Sequence, residues 1–328
     1  MHKSVQKISV RLSTQVEKRV TVSVITSTVF GMQKLTRPPF VRFCSRSKLA
    51  AITASVPFLA LSVLPARAFT PVPNSVIDAQ NAELVKAAIE GGYGPQTPRD
   101  IANPKGTNKV VFGPSPSRTQ MNLCNIHFHA AAEHKGGEYT KFAGNGDGKG
   151  SNTGFMYSGR LTPAELQPIS EPVGTSAGQL APGSTVEIHF VHSSAPVKPG
   201  PTLGSCLAKD INLNPQLRVE AVVAVLVNDR KAADFREMAK VANVNGYWGA
   251  PNIPENLGRP VAYAGSTTGP SWNSKPSPLE VWWNVRPNVV KVDILSVAAW
   301  LRSNQFNEEK AQGVRNLVTT PELLSPIR

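Results

Sequence analysis

Cys124-Asn125-Ile126-His127-Phe128-His129 and Val186-Glu187-Ile188-His189-Phe190-Val191-His192 are the two stretches on which the reading of this sequence turns. Both are short, largely apolar and bounded by turn-forming residues, the mark of strands. Residues i and i+2 of a strand point to one face. His127 and His129 therefore project together while Phe128 enters the opposite layer. In the second stretch Glu187, His189 and Val191 share a face and His192 points away. Of the six histidines, all but His2 lie in these stretches or just beyond the first, at Glu133-His134. Two ligands from one strand and one from its neighbour form a three-histidine set open at the fourth position, the arrangement of catalytic zinc. His134 and His192 fall off that face and read as buried, hydrogen-bonded structural residues.

Working outward, the pattern is of short strands and Pro- or Gly-rich loops: Lys109–Phe112, Phe155–Tyr157, Val219–Asn228, Val261–Tyr263 and Val281–Val285 join the two histidine strands. Val219–Val227 is almost continuously apolar, as a strand buried on both faces should be. Residues 69–80 read as an extended arm and Asn81–Ile89 as a short amphipathic helix stopped by Gly91-Gly92. Ile294–Arg302 and Glu308–Leu317 read as closing helices. With no internal repeat and no linker, the expectation is one mainly β domain with short helices around a large, mostly antiparallel sheet.

The N-terminus is different. Eleven of the 35 Lys and Arg but only one of the 22 Asp and Glu lie in residues 1–68, which carry +10 of the net +13. Arg42, Arg46 and Lys48 followed by the apolar run Leu49–Leu64 and by Pro65-Ala66-Arg67-Ala68 read as a secretory signal cut before Phe69, with translation starting at Met1 or at Met32. The run is too short, and Pro57 too disruptive, for a permanent transmembrane span. Because the basic excess belongs to a segment that is removed, no nucleic-acid partner is expected, and the mature chain, 69–328, is placed in the periplasm or outside the cell. Removal of Cys44 leaves Cys124 and Cys206. An even count in an exported chain suggests one disulfide, the alternative being two buried thiols.

These residues also carry a resemblance. His127-Phe128-His129, Glu133-His134 and Glu187-Ile188-His189-Phe190-Val191-His192 resemble the alpha-class carbonic anhydrase pattern H-F-H, S-E-H, E-L-H-L-V-H. Cys124–His129 with Ala132-Glu133-His134-Lys135-Gly136-Gly137 is closer still to the delta class. Tyr263-Ala264-Gly265-Ser266-Thr267-Thr268-Gly269-Pro270 and Pro278-Leu279-Glu280-Val281-Trp282-Trp283 follow in the same order. The resemblance implies an alpha-carbonic-anhydrase-like fold and reversible hydration of CO2 to bicarbonate by attack of zinc hydroxide. It implies His127, His129 and His189 as ligands of zinc, for which cobalt or cadmium could substitute. Thr268 would accept a hydrogen bond from the hydroxide and donate one to Glu133; Glu187 would support His129 or His189. Val191, Val222 and either Trp282 or Trp283 would line an apolar CO2 pocket. It implies no oligomeric state. Many alpha-class enzymes carry a further pocket histidine that shuttles the proton, and none remains here, so turnover should depend on buffer.

Two other readings fit part of the pattern. His127, His129 and Glu133 match H-x-H-x3-E, which with His189 would make a cupin-type Fe or Mn oxygenase or isomerase in which Glu133 is a ligand. A catalytically inactive metal-binding protein would keep the ligands without the chemistry.

Overall fold

A computed structural model describes residues 69–174, 179–208, 215–267 and 273–327. Every described residue belongs to one compact unit, Pro65–Arg328. The expected leader, residues 1–68, lies outside the described residues. No helix among the described residues is long and apolar enough to cross a membrane.

The described elements run α1 (Asn74–Glu90), β1 (Asn122–His129), β2 (Lys141–Phe142), β3 (Phe155–Met156), β4 (Thr185–Ser193), β5 (Leu217–Val227), α2 (Phe235–Met238), β6 (Ala242–Val244), β7 (Tyr247–Gly249), β8 (Val261–Ser266), β9 (Glu280–Asp293) and α3 (Ile294–Arg302). Five strands form the central sheet in the order β1-β4-β5-β9-β8. All its pairings are antiparallel except β5 with β9, so the fold is mainly strand around a mixed, mostly antiparallel sheet, as expected.

Burial explains the strand sequences. Leu123, Ile126 and Phe128 of β1, Val186, Ile188 and Phe190 of β4 and Val222, Ala224 and Leu226 of β5 pack on one face against Phe235 and against Val297 and Trp300 of α3. The other face of β5, Val219, Ala221 and Val223, joins Val191, Trp283 and the two cysteines in a second core. β5 is thus buried on both sides, which is why its sequence shows no polar alternation. The two cysteines form the disulfide Cys124–Cys206. α3 begins where the Asp293 side chain accepts from the Leu295 N–H, a cap that contributes about 1 kcal/mol.

Four expectations are corrected. Residues 69–80 are not all an extended arm, because α1 already starts at Asn74, directly after Pro73; proline at a helix entrance has its φ set and loses no helical hydrogen bond. Lys109–Phe112 is no strand: Asn108 Oδ1 takes the Val110 N–H, and Val111 is 82% exposed. Glu308–Leu317 is no helix. Its backbone is spent elsewhere, with Gln312 N–H donating to Phe128 O, Ala130 N–H to Gln312 O and Val314 N–H to Gly150 O. The strand expected at Val281–Val285 runs on to Asp293, and Pro287 is tolerated at an irregularity where the register jumps from Ala221↔Val285 to Val223↔Val289.

Candidate metal centre

β1 and β4 pair in the register His127↔His189 and His129↔Glu187. The pairing brings His127, His129 and His189 onto one face, with one ring nitrogen of each within 4.8 Å of the others. All three are buried, and their ring centroids lie 4.7–5.2 Å apart.

The outward nitrogen of each ring has a fixed acceptor. His127 Nδ1 lies 2.6 Å from Asn125 Oδ1, whose amide nitrogen is committed to Gly200 O. His129 Nδ1 lies 2.7 Å from Gly313 O. His189 Nε2 lies 2.8 Å from Glu187 Oε1. An amide oxygen, a peptide carbonyl and a carboxylate can only accept here, so each ring places its proton outward and its lone pair inward. The inward atoms are then His127 Nε2, His129 Nε2 and His189 Nδ1. The first and last are 3.3 Å apart with no proton between them, and His129 Nε2 is buried without a hydrogen-bond partner among the described residues. Three converging lone pairs repel one another unless a cation accepts them, and they fit a metal ion with an affinity for imidazole. Burial, helped by the neighbouring His189 and His129, holds His127 well below the ordinary histidine range; burial also lowers His189, there opposed by the hydrogen bond to Glu187. Neutral imidazole is the form that ligates.

Glu187 organises the outer layer. Its Oε1 accepts from His189 Nε2 and from His134 Nδ1 at 2.6 Å, and its Oε2 from the backbone N–H groups of Glu133 (2.8 Å) and His134 (3.0 Å). Burial opposes its ionisation, but the two histidine donors prevail and hold its pKa well below the ordinary carboxylate range. The cluster His134, Glu187 and His189 also brings ligating atoms together. Those contacts are hydrogen bonds already satisfied by protons, so the first cluster is the metal site. His134 closes the chain of contacts through Nε2, 2.6 Å from the Tyr263 hydroxyl.

Glu133 sits behind the site, not in it. Its Oε1 accepts the Arg315 N–H at 2.8 Å and lies 3.5 Å from His129 Nδ1, the proton-bearing side of that ring. It is absent from the converging set, which removes the cupin assignment of Glu133 as a ligand. Thr268 lies outside the described residues.

The pocket assignments separate. Val191 and Trp283 lie on the histidine face, and the Trp283 ring is 5.0 Å from those of both His189 and His134. Trp282, its neighbour on the strand, instead lines a surface cleft with Phe112 and Leu279. Val222 is a correction: it pairs with Ile188 and packs in the opposite core, because the residue facing His189 across the strands is Ala221. His192 is buried on the far side, its Nδ1 3.0 Å from Phe190 O. Asn125, Gly313, Tyr263 and Arg315 are the site-building residues that sequence reasoning did not assign. Asn125 had a signal, being two residues before His127 on the same strand, and so had Tyr263, which opens one of the blocks that carry the resemblance.

The chain matches the family model described as delta carbonic anhydrase over residues 118–296. Among solved structures it is similar to the alpha-carbonic anhydrase of Thermovibrio ammonificans in complex with the inhibitor sulfanilamide (15% identity, 73% of this chain and 88% of that chain, TM-score 0.26). It is also similar to a hyperthermostable carbonic anhydrase identified from an active hydrothermal vent chimney (14%, 75% and 90%, TM-score 0.27), and to the Photobacterium profundum alpha-carbonic anhydrase (13%, 68% and 86%, TM-score 0.23). No curated protein matches it. At those TM-scores the family match, which spans more than half of the 328 residues, carries the assignment by itself.

Proposed function

Because the chain belongs to the delta carbonic anhydrase family, we propose that it hydrates CO2 reversibly to bicarbonate with a zinc ion held by His127 Nε2, His129 Nε2 and His189 Nδ1. The observation that carries the metal set is the direction of the three lone pairs, each fixed by a proton donated outward. Bound there, zinc supplies a Lewis acid that brings the pKa of a water down to about 7.

The chain's own residues do the rest. Neutral ligands leave the metal's charge undiminished, and burial favours the neutral form of His127 and His189. Glu187 fixes the His189 tautomer and makes that ring a stronger donor, as Asn125 and Gly313 do for the other two. Val191, Ala221 and Trp283 supply an apolar wall on the histidine face, suited to a nonpolar substrate. We assign Thr268 the role of accepting a hydrogen bond from the attacking hydroxide and donating its own to Glu133, whose other engagement, with the Arg315 N–H, holds that carboxylate in place. Residues 1–68 are proposed as an export signal, with the mature enzyme beginning at Phe69; N-terminal sequencing of the exported protein would read Phe69 first, and any other start would refute that boundary.

Stopped-flow CO2 hydration, run beside metal analysis, tests the proposal. The purified protein should carry one zinc and hydrate CO2 rapidly, whereas His189→Ala should lose both. A folded, zinc-loaded protein without hydration would overturn the activity; an active protein purified with a metal other than zinc would overturn the zinc.

A further inference from the structure

On the far side of the sheet from the three histidines, a cleft of about 240 Å³ lies between the β6–β7 hairpin and the start of the β1 region. The hairpin turns through Asn245 and Gly246, both at positive φ (53° and 87°), the tight turn that suits the strand twist. It is tied to β1 by the Trp248 N–H on Asn122 Oδ1 at 3.1 Å. Trp248, Tyr247, Val244 and Pro251 give the cleft apolar walls, and Val244 and Tyr247 are 48% and 38% exposed at its mouth.

His192 brings to this wall a buried nitrogen with no partner among the described residues. The residue is 1% exposed, and it lines the cleft. Its Nδ1 is tied to Phe190 O, a carbonyl that can only accept, so the proton is on Nδ1 and Nε2 carries a lone pair. That Nε2 is buried with no hydrogen-bond partner among the described residues. Burial, with Arg118 and Arg218 nearby, lowers the ring's pKa to about 3, so it stays a neutral acceptor. Arg118 itself is engaged by Glu255 at 2.7 Å and Arg218 by Glu220 at 2.7 Å. Among the described residues no carboxylate lines the cleft, so they give a cationic ligand nothing to pair with.

A buried acceptor on a residue that lines an aromatic slot calls for a ligand that is planar, apolar and a donor at one end. The volume suits one ring or two fused rings; a cavity of about 150 Å³ already holds benzene. We propose that this cleft is a second binding site, for a small neutral phenol whose hydroxyl donates to His192 Nε2 while its ring packs against Trp248.

Phenol and anisole, which has the same ring and no hydroxyl proton, test this on the metal-loaded protein by NMR of the Trp248 indole and the His192 ring nitrogens. Phenol should shift both groups saturably, and anisole should bind about fivefold to tenfold more weakly, the loss of one buried hydrogen bond. His192→Phe should bring the two ligands to equal affinity; the comparison in the unaltered protein stands if that variant fails to fold. Equal binding of phenol and anisole to the unaltered protein, perturbation confined to His127, His129 and His189, or no saturable shift at all would each overturn the proposal.

Discussion

His127 and His189 stand directly opposite each other across β1 and β4, with His127 Nε2 and His189 Nδ1 only 3.3 Å apart, although each has already given its proton to a partner on its other side. The pair is held in an arrangement that is unfavourable by itself and becomes favourable when a cation sits between the two lone pairs. The consequences of that relationship can be measured.

Glu187→Gln tests how the inward lone pair is enforced. Glu187 accepts four hydrogen bonds; an amide offers one oxygen and sets N–H groups against N–H groups. Metal affinity should fall by about 10–100-fold, read by competition with a chelator. Unchanged affinity would mean that the tautomer of His189 is set by something else.

Glu133→Gln separates orientation from ligation. The carboxylate lies behind His129 and is bound by the Arg315 N–H, so the variant should retain a full equivalent of metal and lose at least about tenfold in hydration rate. Loss of the metal would contradict the placement.

Buffer dependence follows from the histidine census. His134 and His192 are 0% and 1% exposed, and the other three histidines of the described residues form the metal set. No exposed imidazole is left among the described residues to carry protons, so turnover should climb with buffer concentration. Stopped-flow rates that stay flat across a wide buffer range would sink this expectation.

Acid should weaken the fold through His192. Its folded pKa is about 3 against 6.5 for an unperturbed histidine, so between those values the unfolded chain binds the extra proton and stability rises with pH. Its contribution is whole above pH 6.5 and declines as pH falls toward 3. Going from pH 6.5 to pH 5 should cost about 2 kcal/mol from this group. Denaturant melts at the two pH values, compared with His192→Gln, would show the slope shrink by up to one proton; an identical slope would refute it.

The Cys124–Cys206 bridge closes 82 residues of chain within the core beneath the histidine face. Replacing both cysteines by serine should lower stability by about 2–5 kcal/mol, read as a shifted denaturant midpoint. A midpoint equal to that of the oxidised protein would show the bridge to be energetically idle.

Much of this protein was legible from local pattern. Alternation with period two put His127 with His129 and His189 with Glu187, and the unbroken apolar run Val219–Val227 announced a strand covered on both faces. Ile294–Arg302 read as a helix and is one. Such inferences succeed because the geometry of a strand or helix is set by its own backbone, so spacing along the chain maps directly to direction in space. What only the tertiary structure decided depends on contacts between distant segments. Ala221 rather than Val222 faces His189 because of the β4–β5 register, which spacing within one strand does not carry. Glu308–Leu317 is irregular because its N–H groups and carbonyls go to Phe128, Ala130, Gly150 and Glu133 rather than to each other. That same segment presents the Gly313 carbonyl that fixes the proton of His129, and since a carbonyl belongs to every residue alike, no side chain could have announced it.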